Sequence, residues 1–283
     1  TNAFKINEDV VIPLPKLGDY SNGIDRINIE LSIANKLKIV QEIRRYLTED
    51  LIDLNNQDID KALFDNKKLL SLSLIDEVIT RWEEYLTKMD SSITEFIGLP
   101  NFKEIYKNLF EAIQSRELRI SFKKEIKIPL IEIFAGREYE SILKKIDDIH
   151  HDLLKSRVFI ALHMHAGDGN VHTNIPVNSD SYEMMQEAKI AVVRVMALAK
   201  NLDGVISGEH GIGITKMEFL DESTINTFAD YKSKVDPNGH FNKGKLLPGS
   251  GLQNAYTPSF GLLEQESIIM EESAIGEIAD SIS

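Results

Sequence analysis

The opening segment FKINEDVVIPLP holds a short β-branched run, Val10-Val11-Ile12, closed by Pro13 and Pro15, the pattern of a strand leaving into a turn. From Ile24 to Leu51 apolar residues recur in steps of three and four, at Ile27, Leu31, Ala34, Leu37, Val40, Ile43 and Leu47. This spacing predicts an amphipathic helix, with Ser21 or Asn22 placed to cap its start. The stretch from Asp58 to His151 continues in the same style, with charged residues among Leu, Ile and Phe, few glycines, and breaks near Gly98-Leu99-Pro100 and Ile128-Pro129. Several amphipathic helices are predicted there, together forming a mostly helical insertion.

The texture then changes. Arg157 to His165 reads as a strand, Gly167-Asp168-Gly169 as a turn and Val171 to Val177 as a second strand, which makes a β-hairpin. Asp180 and Ser181 can cap a long helix running to about Leu202. After it, Asp203 to Gly213 is predicted as a short strand opening into a glycine-rich loop, and a last helix, Glu218 to Tyr231, stops before Asp236-Pro237-Asn238-Gly239. The expected fold class is α+β: an antiparallel sheet of about four to six strands covered by helices on one face, plus the helical insertion. In domain terms, residues 1–30 and 152–250 form one body, residues 31–151 the insertion and residues 251–283 an acidic tail with amphipathic patches that folds only against something else.

Composition narrows what such a chain can do. Its 283 residues with 42% apolar content can bury a real core. A net charge of -13, with no basic face to override it, argues against nucleic acid as a partner. Cysteine is absent, so thiolate metal sites and thiol nucleophiles are excluded from these residues. No run approaches the roughly 18 apolar residues that span a bilayer, and the first residues lack the pattern of a signal peptide. The expected compartment is the cytoplasm, with peripheral attachment to the inner face of the membrane as a further possibility.

The chemistry concentrates in HMHAGDGNVHTNIPV, residues 163 to 177. His165 and His172 flank the GDG turn, and strand residues on either side of a turn can project onto one face, so their imidazoles can converge on one metal ion. His163 shares the face of His165, further from the turn, as a neighbour behind the ligands or simply a packed side chain. Without cysteine a third ligand should be a carboxylate, with zinc, iron or manganese as the fitting ions. Asp168 competes for that place, but its ordinary role is to hydrogen-bond the backbone of its own turn. Glu209, in SGEHGIG, is the better choice, because flanking glycines let it approach a site without steric conflict. His210, the next residue, is the natural general base. The GEHGIG segment lacks a phosphate-loop frame, so the chain offers no nucleotide-binding signature of its own.

Three segments in order, HAGDGNVHTN, GVISGEHGIG and DPNGHFNKGKLLP, resemble the C-terminal substrate domain of FAD-linked oxidases of the vanillyl-alcohol-oxidase superfamily. Within it, they resemble best the branch of D-lactate dehydrogenases, D-2-hydroxyglutarate dehydrogenases and the glycolate oxidase FAD subunit. The opening AFKINEDVVIPLP resembles that branch too. The resemblance implies that His165, His172 and Glu209 hold a divalent metal, usually zinc, that His210 is the base, and that Asn174 and Lys5 contact the substrate. It further implies oxidation of a D-2-hydroxy acid, D-lactate foremost, with hydride passing to FAD and electrons to a respiratory acceptor.

Two departures from the family pattern are visible: neither the glycine-rich FAD-binding domain nor the substrate-clamping arginine is in these residues. The chain therefore reads as a fragment, catalytically silent alone, whose flavin domain precedes it and whose iron–sulfur domain follows it. An apolar surface left exposed this way could pair two fragments as a dimer. Two rival readings are a stand-alone metallohydrolase using the same His/His/Glu set and a non-enzymatic helical interaction module.

Overall fold

A computed structural model of the chain describes residues 3–50, 60–96, 105–213 and 215–250. The break expected at Gly98-Leu99-Pro100 and the acidic tail lie outside the described residues. Among the described residues two compact units emerge, one within residues 22–159 and the other formed by the described residues on either side of that span.

The first unit is built on a three-stranded antiparallel sheet of order β1-β3-β2, with β1 at Ala3–Val11, β2 at Ala161–His165 and β3 at Asn170–Asn178. This is fewer strands than expected. Among the described residues the segment after Asp203 contributes one bridge, Val11 to Val205, after which the N–H groups of Gly208, Glu209 and His210 turn to the Asp9 carboxylate instead of a strand. Strand β2 begins at Ala161 rather than Arg157, since the preceding helix runs on to Lys155 and residues 157–160 are its connector. Four residues, Ala166 to Gly169, close the hairpin. Asp168 shapes them: its Oδ1 accepts the N–H of Asn170 at 3.0 Å. Gly169 is required here, as its φ is +81° and an added Cβ would lie 2.2 Å from the carbonyl oxygen of Ile12.

Helix α6, Tyr182–Asn201, covers one face of this sheet, packing on β3 and β1. Ser181 caps it as expected, its Oγ accepting from the N–H of Met184 at 3.3 Å. Small and apolar residues at helical spacing (Ala188, Ala191, Val195, Ala199) are buried on that side, opposite Val10, Val171, Ile175 and Val177 of the strands. Helix α7, Glu222–Val235, starts later and ends later than the expected Glu218 to Tyr231, because Met217–Phe219 forms a separate 3-10 turn.

The second unit is helical. Helix α1, Leu17–Arg45, carries the chain into it. Neither Ser21 nor Asn22 caps this helix: it starts upstream, at the end of the 3-10 turn Leu14–Lys16, where Pro15 fixes the backbone for helical entry. Helices α2 (Lys61–Thr87), α3 (Leu109–Gln114), α4 (Ile128–Ile133) and α5 (Glu140–Lys155) complete the unit. Their apolar stripes enclose Trp82, Ile43, Leu47, Phe134 and Ile142 in one continuous core. The buried indole N–H of Trp82 is satisfied by Glu125 Oε2 at 3.1 Å, which also takes Arg81 at 2.7 Å. The break expected at Ile128-Pro129 does not end the helix: a π-helical turn, Lys123–Lys127, runs directly into α4, and Pro129 sits at that junction. Among the described residues no helix is long and apolar enough to cross a membrane.

Candidate functional site

The sheet face turned away from α6 is polar, and register explains why. In an antiparallel ladder directly opposed residues project to the same side. Asp9 opposes His172, which opposes His163, while Asn7 opposes Asn174 and His165 opposes Asn170. Lys5 opposes Pro176 on the same side. Thus the odd-numbered residues of β1 and the even-numbered residues of β3 form one chemical surface, and their neighbours form the core beneath α6.

His165 and His172 are diagonal neighbours across the hairpin, with ring centroids 5.5 Å apart. The loop after Val205 brings Glu209 over them, its Oε1 2.9 Å from His172 Nε2. One ligand atom from each of His165, His172 and Glu209 lies within 4.8 Å of the others. Two ligands of a tetrahedral zinc lie roughly 3.3 Å apart at ordinary bond lengths, so the three side chains surround a space of the size of one ion. Two imidazoles and a carboxylate are also the donor set that suits such an ion when an open position is needed.

His172 is 6% exposed, and its Nδ1 is a buried polar atom without a hydrogen-bond partner, as are Asn174 Oδ1 and Asn170 Oδ1. Three buried polar atoms without a protein partner thus lie on one face of the sheet.

His210 joins the cluster: its ring centroid is 5.0 Å from that of His172. His163 does not pack into the core. It is exposed, 6.1 Å from His172 and 5.8 Å from His165 between ring centroids, because its register partner His172 keeps it on the site face. Lys5 and Asn174 share that face but stand apart from the cluster. Asn174 is two positions along β3 from His172, and Lys5 is four positions along β1 from Asp9, roughly 13 Å at strand spacing.

Asp9, Lys216 and Glu8 were not evident as site residues from the sequence. Asp9 is fully buried, and its Oδ2 accepts the N–H groups of Gly208, Glu209 and His210 at 2.7, 2.5 and 3.0 Å. Its Oδ1 accepts from Lys216 Nζ at 2.5 Å. Burial alone would raise the Asp9 pKa, but the hydrogen bonds from Lys216 and from the backbone N–H groups of His210 and Gly208 outweigh it and hold the carboxyl at about 2. For neighbouring Glu8 burial wins, and its pKa is raised despite Lys216 Nζ at 3.4 Å. One signal for Asp9 was available: Lys5, Asn7 and Asp9 are polar at every second position of a strand, which puts them on one face. The lone Lys216 carried no such mark.

No solved structure matches the chain. Among curated proteins, the chain is 39% identical over 88 residues to the mitochondrial D-lactate dehydrogenase [cytochrome] of Arabidopsis thaliana, covering 30% of this chain and 16% of that protein. It is 36% identical over 89 residues to D-2-hydroxyglutarate dehydrogenase of Stutzerimonas stutzeri (strain A1501), covering 29% of this chain and 19% of that protein. To glycolate oxidase subunit GlcD of Bacillus subtilis (strain 168) it is 30% identical over 114 residues, 39% of this chain and 24% of that protein. The aligned part is thus less than a quarter of each of these relatives. The profile of the family described as "FAD linked oxidases, C-terminal domain" matches residues 96–246, more than half of the chain, reaching from the helical unit through the hairpin and the Glu209 loop. On this match and the sheet-face site it contains, the chain belongs to the C-terminal domain family of the FAD linked oxidases.

Proposed function

We propose that this chain is the substrate-binding and catalytic part of a flavin-dependent D-2-hydroxy-acid dehydrogenase, with D-lactate as substrate and pyruvate as product. The convergence of His165, His172 and Glu209 beside His210, in a chain of an FAD-linked oxidase family, is the observation that carries it. His165, His172 and Glu209 would hold a divalent metal, zinc foremost. When bound, that metal supplies Lewis-acid polarisation of the substrate hydroxyl and FAD supplies the two-electron sink.

The chain's own residues do the rest. His210, its side chain about a third exposed at 35%, can reach both substrate and water, so its Nε2 can take the hydroxyl proton and pass it on. Asn174 offers a buried, unpartnered Oδ1 to a substrate donor. Lys5 presents the one cationic side chain of β1 on the site face, where it neutralises a substrate carboxylate. No residue here is assigned to FAD, which residues outside this chain would bind. An iron–sulfur cluster, if the whole protein uses one to pass electrons to a respiratory acceptor, needs cysteines that these 283 residues do not contain. Exposed Phe228, Tyr231 and Val235 of α7 give the first unit apolar surface suited to a neighbouring domain or a second copy.

In the full-length, flavin-loaded protein, D-lactate should reduce a dye acceptor faster than D-2-hydroxyglutarate or glycolate. His210→Asn should lower kcat by about 10²–10⁴-fold with the flavin spectrum unchanged. An unchanged kcat in that variant contradicts the base assignment, and no turnover of any 2-hydroxy acid contradicts the reaction class.

A further inference from the structure

The loop that carries Glu209 and His210 contains no helix or strand, yet both side chains must be held to fractions of an ångström for the chemistry proposed above. What holds it is a single carboxylate. Three consecutive N–H groups, of Gly208, Glu209 and His210, converge on Asp9 Oδ2, a curl of main chain that wraps an anion. Gly208 makes the curl possible, because an added Cβ there would lie 2.5 Å from Asn170 Oδ1 and 3.0 Å from Asp9 Oδ2.

The other oxygen, Oδ1, lies 3.6 Å from His210 Nδ1 and accepts from Lys216 Nζ. Lys216 is 2% exposed and donates also to the backbone oxygen of Asp9 at 3.0 Å. A buried carboxylate without such a counter-charge would be strongly unfavourable, so Lys216 is what allows Asp9 to stay ionised in the fold.

We propose that Asp9 is the positioning residue of the site: it orders residues 208–210, so that Glu209 faces His172 and His210 stands beside them. This rests on the metal and base roles given to Glu209 and His210 above. It goes beyond them by making the third ligand and the base depend on one residue of β1, about two hundred positions away, whose backbone is already fixed by the sheet. A buried ion pair that served only stability would have no effect on metal affinity in a variant that stays folded.

The substitutions Asp9→Asn and Lys216→Met, made together, separate the two roles. The amide oxygen can still accept the three loop N–H groups, and removing the lysine avoids a clash of donors with the amide NH2. Amide hydrogen exchange at residues 208–210 of the 283-residue chain should be slow in the unsubstituted protein and in the double variant and fast in Asp9→Ala. Cobalt(II) affinity should stay within about threefold in the double variant, whose loop remains held, and fall about 10–100-fold in Asp9→Ala, whose loop is released. Equal exchange at residues 208–210 in the original and Asp9→Ala proteins overturns the proposal, as does a folded Asp9→Ala protein that binds cobalt like the original. Should the unsubstituted chain bind no cobalt, the metal reading fails while exchange at residues 208–210 still decides the role of Asp9.

Discussion

Gly208 shows how little room the site leaves at the scale of one residue. A methyl group placed there meets Asn170 Oδ1 at 2.5 Å and Asp9 Oδ2 at 3.0 Å, and the Asp9 carboxylate is held in place by three N–H groups and Lys216. Gly208→Ala should therefore cost about 1–3 kcal/mol of stability and weaken metal binding, read from denaturant unfolding and cobalt titration. Wild-type values for both would mean that the loop tolerates a shift that the structure does not suggest. The residues that carry this chemistry were legible to different degrees. His165, His172, Glu209 and His210 stood out because imidazoles clustered around glycine turns are hard to explain by packing. His163 allowed two readings, packed or beside the ligands, and it lies exposed beside them: parity along a strand fixes the face, but not whether anything covers it. Lys216 was illegible, since its importance comes from burial between two carboxylates contributed by a strand distant in sequence.

Elements were easiest to read where one periodicity ruled without competition. The long helical stretches followed the three-and-four spacing of their apolar residues, while their ends did not. The prolines at the start of α1 and the 3-10 turn before α7 shifted boundaries through local backbone geometry that hydrophobic pattern does not encode. Among the described residues the strand expected from Asp203 is a single bridge, because Val205 and Ile206 are soon followed by Gly208, Glu209 and His210, whose N–H groups go to Asp9 rather than to a neighbouring strand. Within the helical unit, α5 carries His150, whose ring stacks on Phe122 with centroids 4.2 Å apart. Burial, reinforced by the nearby Lys127 charge, lowers its pKa below the usual 6.5. Protonation is thus easier in the unfolded chain than in the folded one. Stability that is complete above the unfolded pKa is lost as pH falls below about 6.5 and stops falling once the folded pKa is passed. Thermal melting between pH 7.5 and 5 should show this decline in the original protein, and His150→Phe should flatten it; parallel curves would rule the histidine out as the cause.

At the scale of the whole molecule, fold and function separate by unit. Residues 160–250 with the first strand supply every proposed ligand, base and substrate contact, while residues 22–159 supply none. The family match nevertheless begins at residue 96, inside the helical unit, so that unit is not foreign to the family. What no local pattern could reveal is the closure of the site, because Asp9 and Glu209 meet only when the ends of this long chain segment have paired. The central claim is that the paired face is a metal centre. Its most direct test is elemental analysis of the purified 283-residue chain after zinc loading and desalting, beside the His165→Ala, His172→Ala double variant. One equivalent of zinc per chain in the original protein and none in the variant is the predicted result. Equal zinc in both, or none in either, would contradict it.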